Sequence, residues 1–437
     1  MKAVLSALAT ANPKRYATQE EIYAFLASHF EMQPDEKELY RQLLTDGPIR
    51  GWHIAVDMDE EICSQDPDRL ISRFATHSRR IAAEAARTAL ERASLEPADI
   101  EGLIVNTCTG YLCPGLSSYL IEDLGLSAFT SVLDLMGMGC GGAIPNLEAA
   151  CRMIQSGAKR TVLCLSVEIC SATFFLGPDP DLIVSNSIFA DGASAAILTA
   201  NLSGDAPGGA PKRTPAFTGP SLPPRRRGAF LRRQELGVVS SWRGRPALAG
   251  RNEEQGQDGL ATGEPSPRRV ESVSPSSRER DTRDTTRPPS CELLRFVDFE
   301  SVTLPRYREQ LRYTTQSGRL RNVLTRNVPV IGAKAVAQVV HRLLDRHSLM
   351  QDAIDWWVVH PGGTQVLNAV QRHIGLAPER LRFSHEVFHE YGNMSSPSVM
   401  FVLDRILCEA RPKPGDTGLL LSFGAGFTAF ATLVEFC

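Results

Sequence analysis

The chain has 437 residues, with 47 Lys+Arg against 50 Asp+Glu, a formal net charge of −3, and 43% hydrophobic residues. That is enough apolar side chain for one large core or two fused halves, and so small a net charge supplies no general attraction to nucleic acid or to an anionic membrane. No apolar run approaches the roughly 20 residues of a membrane span, and the ten cysteines lack metal or disulfide spacing, which points to reduced, cytoplasmic thiols.

The first eleven residues mimic a signal peptide only faintly. Their apolar stretch is short and Asn12-Pro-Lys-Arg15 follows, so they read as a first β-strand. The hydrophobic pattern then predicts a helix over 71–93, a strand over 102–107, a helix over 117–124 and strands over 131–135, 161–167 and 194–199. Residues 204–292 break this order. They are rich in Gly, Pro, Ser and Arg, show no period of 2 or 3.6, and carry 16 Lys+Arg against 11 Asp+Glu, about +5. This composition predicts a disordered insertion. Its charge raises nucleic-acid binding as a possibility, but solvated disorder is the simpler reading. Beyond it come a helix over 334–344, a strand over 355–359, helices over 363–374 and 398–408, and strands over 417–423 and 429–435. Such alternation predicts layered α/β architecture. The chain thus divides into 1–203, the insertion 204–292, and 293–437, with no visible sequence repeat between the outer parts.

The most informative run is Asp134-Leu-Met-Gly-Met-Gly-Cys-Gly-Gly142. An apolar strand pattern ends there, glycines surround Cys140, and a helix pattern begins with Ile144, Leu147, Cys151 and Ile154 on one stripe. A cysteine at the mouth of a helix N-terminus is expected to have a lowered pKa and to act as a nucleophile. The same run matches the dinucleotide fingerprint G-x-G-x-x-G, but its acidic partner, Glu168, fits loosely. An inert core cysteine is the other reading.

Two more segments favour the nucleophile. Trp356-Trp-Val-Val-His-Pro-Gly-Gly-Thr364 is a buried-strand pattern ending on His360. Tyr391-Gly-Asn-Met-Ser-Ser-Pro397 is a loop with Asn393 ahead of an apolar helix. One cysteine with a distant His and Asn, each at an element end, has the logic of a catalytic triad. A competing motif, His385-Glu-Val-Phe-His389, is a literal H-E-x-x-H. Its expected third ligand position holds Ser395, so no metal site is assigned.

Together with Phe189-Ala-Asp-Gly-Ala-Ser194 and Ser422-Phe-Gly-Ala-Gly-Phe427, these segments resemble the type III polyketide synthases, the chalcone-synthase-like group of the thiolase fold. The resemblance covers nearly all of 1–203 and 293–437. It implies two stacked βαβαβαββ halves in five layers, a homodimer in the cytoplasm, and coenzyme A thioesters as substrates, with no resident cofactor. It implies that Cys140 carries an acyl-CoA starter, while His360 and Asn393 stabilise the enolate left when malonyl-CoA loses carbon dioxide. Iterative condensation and cyclisation to a resorcinol or pyrone would follow. By the same resemblance, Phe189 is an aromatic gatekeeper, and Asn322 stands where the family usually has a second Phe. Cys108, Thr109, Cys113, Cys170, Thr173, Ser395, Gly424 and Gly426 match pocket positions, Cys113 replacing a methionine that reaches across the dimer. Arg41, Arg50 and Arg326 are the candidates for binding coenzyme A. The alternatives are a single-condensation ketoacyl synthase of the same fold, or a non-catalytic binding protein with a basic disordered insertion.

Overall fold

The computed structural model of the chain describes residues 2–57, 59–201 and 292–437. The insertion expected over 204–292 lies, Glu292 aside, outside them. The first half contains β1 (Lys2–Ala11), β2 (Arg15–Thr18), α1 (Gln19–His29), α2 (Pro34–Thr45), β3 (Gly51–Ile54), α3 (Asp59–Cys63) and α4 (Pro67–Ala93). It continues with β4 (Gly102–Asn106), α5 (Leu116–Leu124), β5 (Ser131–Leu135), α6 (Ala143–Gln155), β6 (Thr161–Glu168), α7 (Pro180–Ile188) and β7 (Gly192–Asn201). The second half contains β8 (Leu294–Thr303), β9 (Leu311–Gln316), β10 (Arg319–Leu324), α8 (Val328–Arg346), β11 (Trp356–Val359) and α9 (Thr364–Ile374). It ends with α10 (Arg382–Tyr391), α11 (Ser398–Arg405), β12 (Thr417–Gly424) and β13 (Thr428–Phe436).

Nine strands form one sheet in the order β11-β12-β13-β8-β1-β7-β6-β4-β5. The two halves repeat a pattern that the sequence does not display. In the first, β1 pairs antiparallel with β7, β7 antiparallel with β6, and β6 parallel with β4. In the second, β8, β13, β12 and β11 repeat those pairings in the same senses. The halves meet where β1 pairs with β8 at Val4–Arg295 and Leu5–Leu294. The second half has no counterpart of β5 among the described residues, so it departs from the expected βαβαβαββ by one strand.

Side-chain alternation sorts the strands into five layers. On β6, Leu163 and Leu165 face an outer core with Phe74, Ile81 and Ala85 of α4 and Leu120 of α5, while Val162 and Cys164 face the middle. On β12, Leu419 and Leu421 face a second outer core with Val336 and Val340 of α8 and Leu367 of α9, while Leu420 faces the middle. The middle core is filled by Ile144, Leu147 and Ile154 of α6 and by Val399, Met400 and Leu403 of α11. Every residue of α11 is buried, as expected of a helix enclosed on all sides by the core.

Most predicted elements form, with ends shifted by a few residues. The helix expected over 398–408 stops at Arg405 and closes with one π turn, Ile406–Ala410. The β9–β10 hairpin and helices α1, α2 and α7 are additions to the sequence reading. Helix α1 had a readable start, a capping box in which Thr18 accepts from the Glu21 N–H and Glu21 accepts from the Thr18 N–H. No helix among the described residues is long and apolar enough to cross a membrane.

Candidate active site

Cys140 stands on a single 3₁₀ turn, Gly139–Gly141, between β5 and α6. Gly137 and Gly139 have φ of +82° and +55°, which only glycine adopts freely. The loop between β12 and β13 grips this turn. A Cβ on Gly424 would lie 2.0 Å from the Met138 carbonyl oxygen and 3.1 Å from the Cys140 nitrogen. Gly424 therefore sets how closely the second half approaches the thiol, while Gly426 sits two residues on with φ of +114°.

His360 follows β11 directly, and its N–H donates to the Leu421 carbonyl of β12 at 2.8 Å. Its ring lies edge-on to Phe423, 6.5 Å between centroids. The imidazole is 2% exposed and Nδ1 has no hydrogen-bond partner among the described residues. Asn393 follows α10. Its Oδ1 accepts the Ser395 N–H at 2.8 Å and its Nδ2 donates to the Gly362 carbonyl at 3.3 Å. Gly362 in turn packs beside the His360 ring. The Asn393 backbone forms a β-bridge with Phe189, through Asn393 N–H to Ile188 and Ala190 N–H to Asn393. One loop thus connects His360, Asn393 and Phe189.

The thiol's own partner is Ser395, whose hydroxyl lies 3.4 Å from Cys140 Sγ and 3.4 Å from Cys108 Sγ. Behind them is a buried carboxylate that the sequence reading considered only as a dinucleotide ligand. Glu168 accepts from the N–H groups of Cys108 (2.9 Å) and Thr109 (3.1 Å) and from the hydroxyls of Thr107, Thr109 and Ser396. Its Oε1 also receives the Cys108 thiol at 3.3 Å. Thr109, expected in the pocket, is used instead to hold Glu168.

The thiol chemistry corrects one expectation. The helix N-terminus was expected to lower the Cys140 pKa. Burial outweighs it, helped by the Glu168 charge and opposed by Ser395, and the thiol is pushed up to about 12. Burial also lowers His360 to about 3. Burial thus favours the uncharged form of each group.

Two cavities meet here. A chamber of about 10 Å³, room for one water, is lined by Cys108, Cys140, Phe189, Tyr313 and Asn322. A cavity of about 370 Å³ lies under α1, lined by Ile22, Phe25, Trp52, Thr173, Leu182 and Cys170 among others. Phe189 and Asn322 belong to both. Cys113 and the three arginines line neither: Cys113, Arg50 and Arg326 are surface residues, and Arg41 is paired with Glu38 and Asp46. Tyr313 and the walls from α1 and β3 were missed. The turn Ser317-Gly318 between two alternating runs was the available signal for the hairpin that carries Tyr313.

Residues 302–436 match the family model described as chalcone and stilbene synthases, C-terminal domain, and residues 14–206 match that of FAE1/type III polyketide synthase-like proteins. The chain belongs to the type III polyketide synthase family. It is 28% identical over 386 residues to a 3,5-dihydroxyphenylacetyl-CoA synthase of Streptomyces toyocaensis, covering 87% of this chain and 77% of the relative. It is 23% identical over 440 residues to the alpha-pyrone synthesis polyketide synthase-like Pks18 of Mycobacterium tuberculosis, covering 99% and 91%. Its fold matches 1,3,6,8-tetrahydroxynaphthalene synthase of Streptomyces coelicolor with a TM-score of 0.73 at 18% identity, covering 99% of both chains. As a type III polyketide synthase it is an acyltransferase that condenses an acyl-CoA starter with malonyl-CoA decarboxylatively. The thiolase-type architecture of stacked α/β halves is that of the family.

Proposed function

We propose that Cys140, His360 and Asn393 divide the two half-reactions of this polyketide synthase between them. The carrying observation is the chain of contacts from the His360 turn through Gly362 to Asn393, and on through Ser395 to Cys140. As an acyl-CoA binds, the Cys140 proton passes to His360. The thiolate attacks the thioester carbonyl, and the departing coenzyme A thiolate takes the proton back. Malonyl-CoA then loses carbon dioxide, and the His360 Nε2–H and Asn393 Nδ2–H hold the enolate oxygen, each donor worth roughly 3 kcal/mol. The enolate carbon attacks the Cys140 thioester, forming the new C–C bond and releasing the thiolate, and the thiolate then takes back the resulting β-ketoacyl group from coenzyme A, which leaves as the free thiol, before the next extension. Ring closure gives a resorcinol- or pyrone-type product. The test is mass analysis of Cys140 acylation and of products from a panel of acyl-CoAs with malonyl-CoA. Absence of a covalent adduct at Cys140 with every starter would end this reading.

The starter we favour is a fatty acyl group. The chamber at the thiol is too small for a chain, whereas the larger cavity opens past Phe189 and Asn322 and is walled by Ile22, Phe25, Leu26, Trp52, Phe174 and Leu182. The condensation needs no resident metal or cofactor in this reading. His389 of the H-E-x-x-H motif is engaged by the Pro48 carbonyl, and Ser395 faces the thiol rather than α10. A chelator that abolished activity, with zinc restoring it, would refute that.

A homodimer fits the surface around β5, the edge strand of the sheet. Phe129 is 93% exposed, Tyr111 65% and Val132 50%, and Cys113 is exposed in the same region of the chain. Sedimentation should find a dimer that Val132→Lys with Phe129→Asp dissociates. A cytoplasmic location suits the thiols of Cys108, Cys113, Cys140, Cys151, Cys164 and Cys170 and the coenzyme A substrates.

A further inference from the structure

The 370 Å³ cavity is walled by apolar side chains such as Ile22, Phe25, Trp52, Phe174 and Leu182, yet a buried cation also faces it. Arg73 belongs to α4 and is 7% exposed. Its Nη1 donates to the Ser171 carbonyl at 2.8 Å and its Nη2 to the Glu61 carbonyl. A guanidinium carries five N–H donors, so three are left without a partner among the described residues. The nearby carboxylates are engaged elsewhere. Asp191, on the same wall, accepts the Ala55 N–H at 2.6 Å, the Ser171 N–H at 2.8 Å and the Ser171 hydroxyl at 2.6 Å. Glu61 accepts the Asp57 N–H at 2.8 Å. Both support the Arg73 cation only as charges acting through space, and burial outweighs them. An arginine stays charged even so, and a buried charge without a close counterion is costly. The other charged residues of the lining, Arg15 and Glu21, are half-buried and exposed, respectively.

We propose that Arg73 selects a starter whose fatty chain ends in a carboxylate, so that the substrate class is the coenzyme A monothioester of a long-chain dicarboxylic acid. This deepens the reading of a fatty acyl starter on Cys140 and rests on it. The methylenes of such a chain cover the apolar walls. Its terminal carboxylate accepts from the unused N–H groups of Arg73, a charge-assisted pairing that suits the planar fork of the guanidinium. A methyl end leaves the cation unpaired, so the same cavity disfavours an ordinary monocarboxylic chain. The reaction contains one other carboxylate, that of malonyl-CoA. It lies next to its own thioester and belongs in the chamber at Cys140, which Arg73 does not line.

The experiment measures the second-order rate constant for acylation of Cys140 by octanoyl-CoA and by the octanedioyl monothioester, with longer and shorter pairs. It uses the full-length enzyme, Arg73→Met and Arg73→Lys. In wild type the dicarboxylic member should lead by about tenfold or more at the chain length that reaches Arg73, and lose that lead in shorter chains. In Arg73→Met the ratio should fall to about one or below, and Arg73→Lys, which keeps the charge but not the fork, should restore part of it. Loss of the contacts to the Ser171 and Glu61 carbonyls would slow both members of a pair alike, so the ratio reports recognition and not a damaged wall. A wild type with no preference for the dicarboxylic chain at any length overturns the proposal, and needs no variant to fold. An unchanged ratio in Arg73→Met overturns it as well. If malonyl-CoA decarboxylation falls in that variant while the ratio holds, the guanidinium serves the malonyl carboxylate instead. Failure of the wild type to acylate Cys140 with any starter would overturn the underlying reading.

Discussion

Asn393 accepts the Ser395 backbone N–H on its Oδ1 at 2.8 Å. That bond orients the amide. With Oδ1 occupied, Nδ2 is turned to the Gly362 carbonyl at 3.3 Å, on the side of His360. The same bond seats Ser395, a non-glycine residue at φ +60°, with its hydroxyl on the Cys140 thiol. One loop therefore carries an amide donor on the side of His360 and a hydroxyl against the Cys140 thiol.

Asn393→Asp keeps the acceptor for Ser395 and removes the donor. It should cut malonyl-CoA decarboxylation by about a hundredfold or more, as should His360→Ala, while Cys140→Ala retains decarboxylation and loses acyl loading. Carbon dioxide release measured without starter checks this. Equal rates in all variants and wild type would remove the assigned roles.

The burial of Cys140 and His360 has a pH signature. Since Cys140 is held at about 12, alkylation by iodoacetamide should keep rising with pH past 9 instead of levelling off. A plateau below pH 8 would mean that the thiolate is already formed. Unfolded His360 protonates near 6.5 and the folded residue only near 3. Its neutral burial therefore stabilises the fold above 6.5, and that contribution is lost as pH falls toward 3. Urea unfolding between pH 7 and 4 should show a steeper loss in wild type than in His360→Gln.

Phe at position 322 should narrow the junction between the cavities, and Leu182→Trp should fill the larger one. Both are expected to slow loading of long acyl-CoAs by about tenfold or more while acetyl-CoA is spared. A starter profile unchanged in both variants would place the acyl chain elsewhere.

Glu168→Leu would strand the donors of Thr107, Cys108, Thr109 and Ser396 in the core. It should cost about 3 kcal/mol or more in urea unfolding, against a smaller loss for Glu168→Gln, which still accepts hydrogen bonds. Similar losses in the two variants would show that shape, not hydrogen bonding, is what Glu168 supplies.

The segment between the halves should be dispensable. β7 ends at Asn201 opposite Lys2, and β8 begins at Leu294 opposite Leu5, on the two sides of β1. Two strand spacings across and three residues along put these ends roughly 14 Å apart, a span that about six residues cover. Replacing 206–290 by a short Gly/Ser link should leave a folded, dimeric, active enzyme, with proteolysis of the native chain cutting first between Arg225 and Arg287. An insoluble product would show that the segment is structural.

Cys140, His360 and Asn393 were legible in the sequence because each sits where a periodic pattern stops. A strand ends on His360, a glycine run turns the chain at Cys140, and a Tyr-Gly-Asn loop precedes a helix. These are local events, and local sequence encodes them through backbone preferences. The five layers were implied by the family resemblance, since β6 and β12 read as nearly continuous apolar runs buried on both faces. The tertiary structure decided what depends on residues far apart in the chain. Burial by both halves turned the expected low thiol pKa into a high one. Thr109 was diverted from the pocket to Glu168, and Glu168 became a buried hub. A hairpin from the second half delivered Tyr313 and Asn322 to a nucleophile of the first. Desolvation, cavity shape and hydrogen-bond partners are properties of assembled surfaces, and no window of one strand or helix contains them.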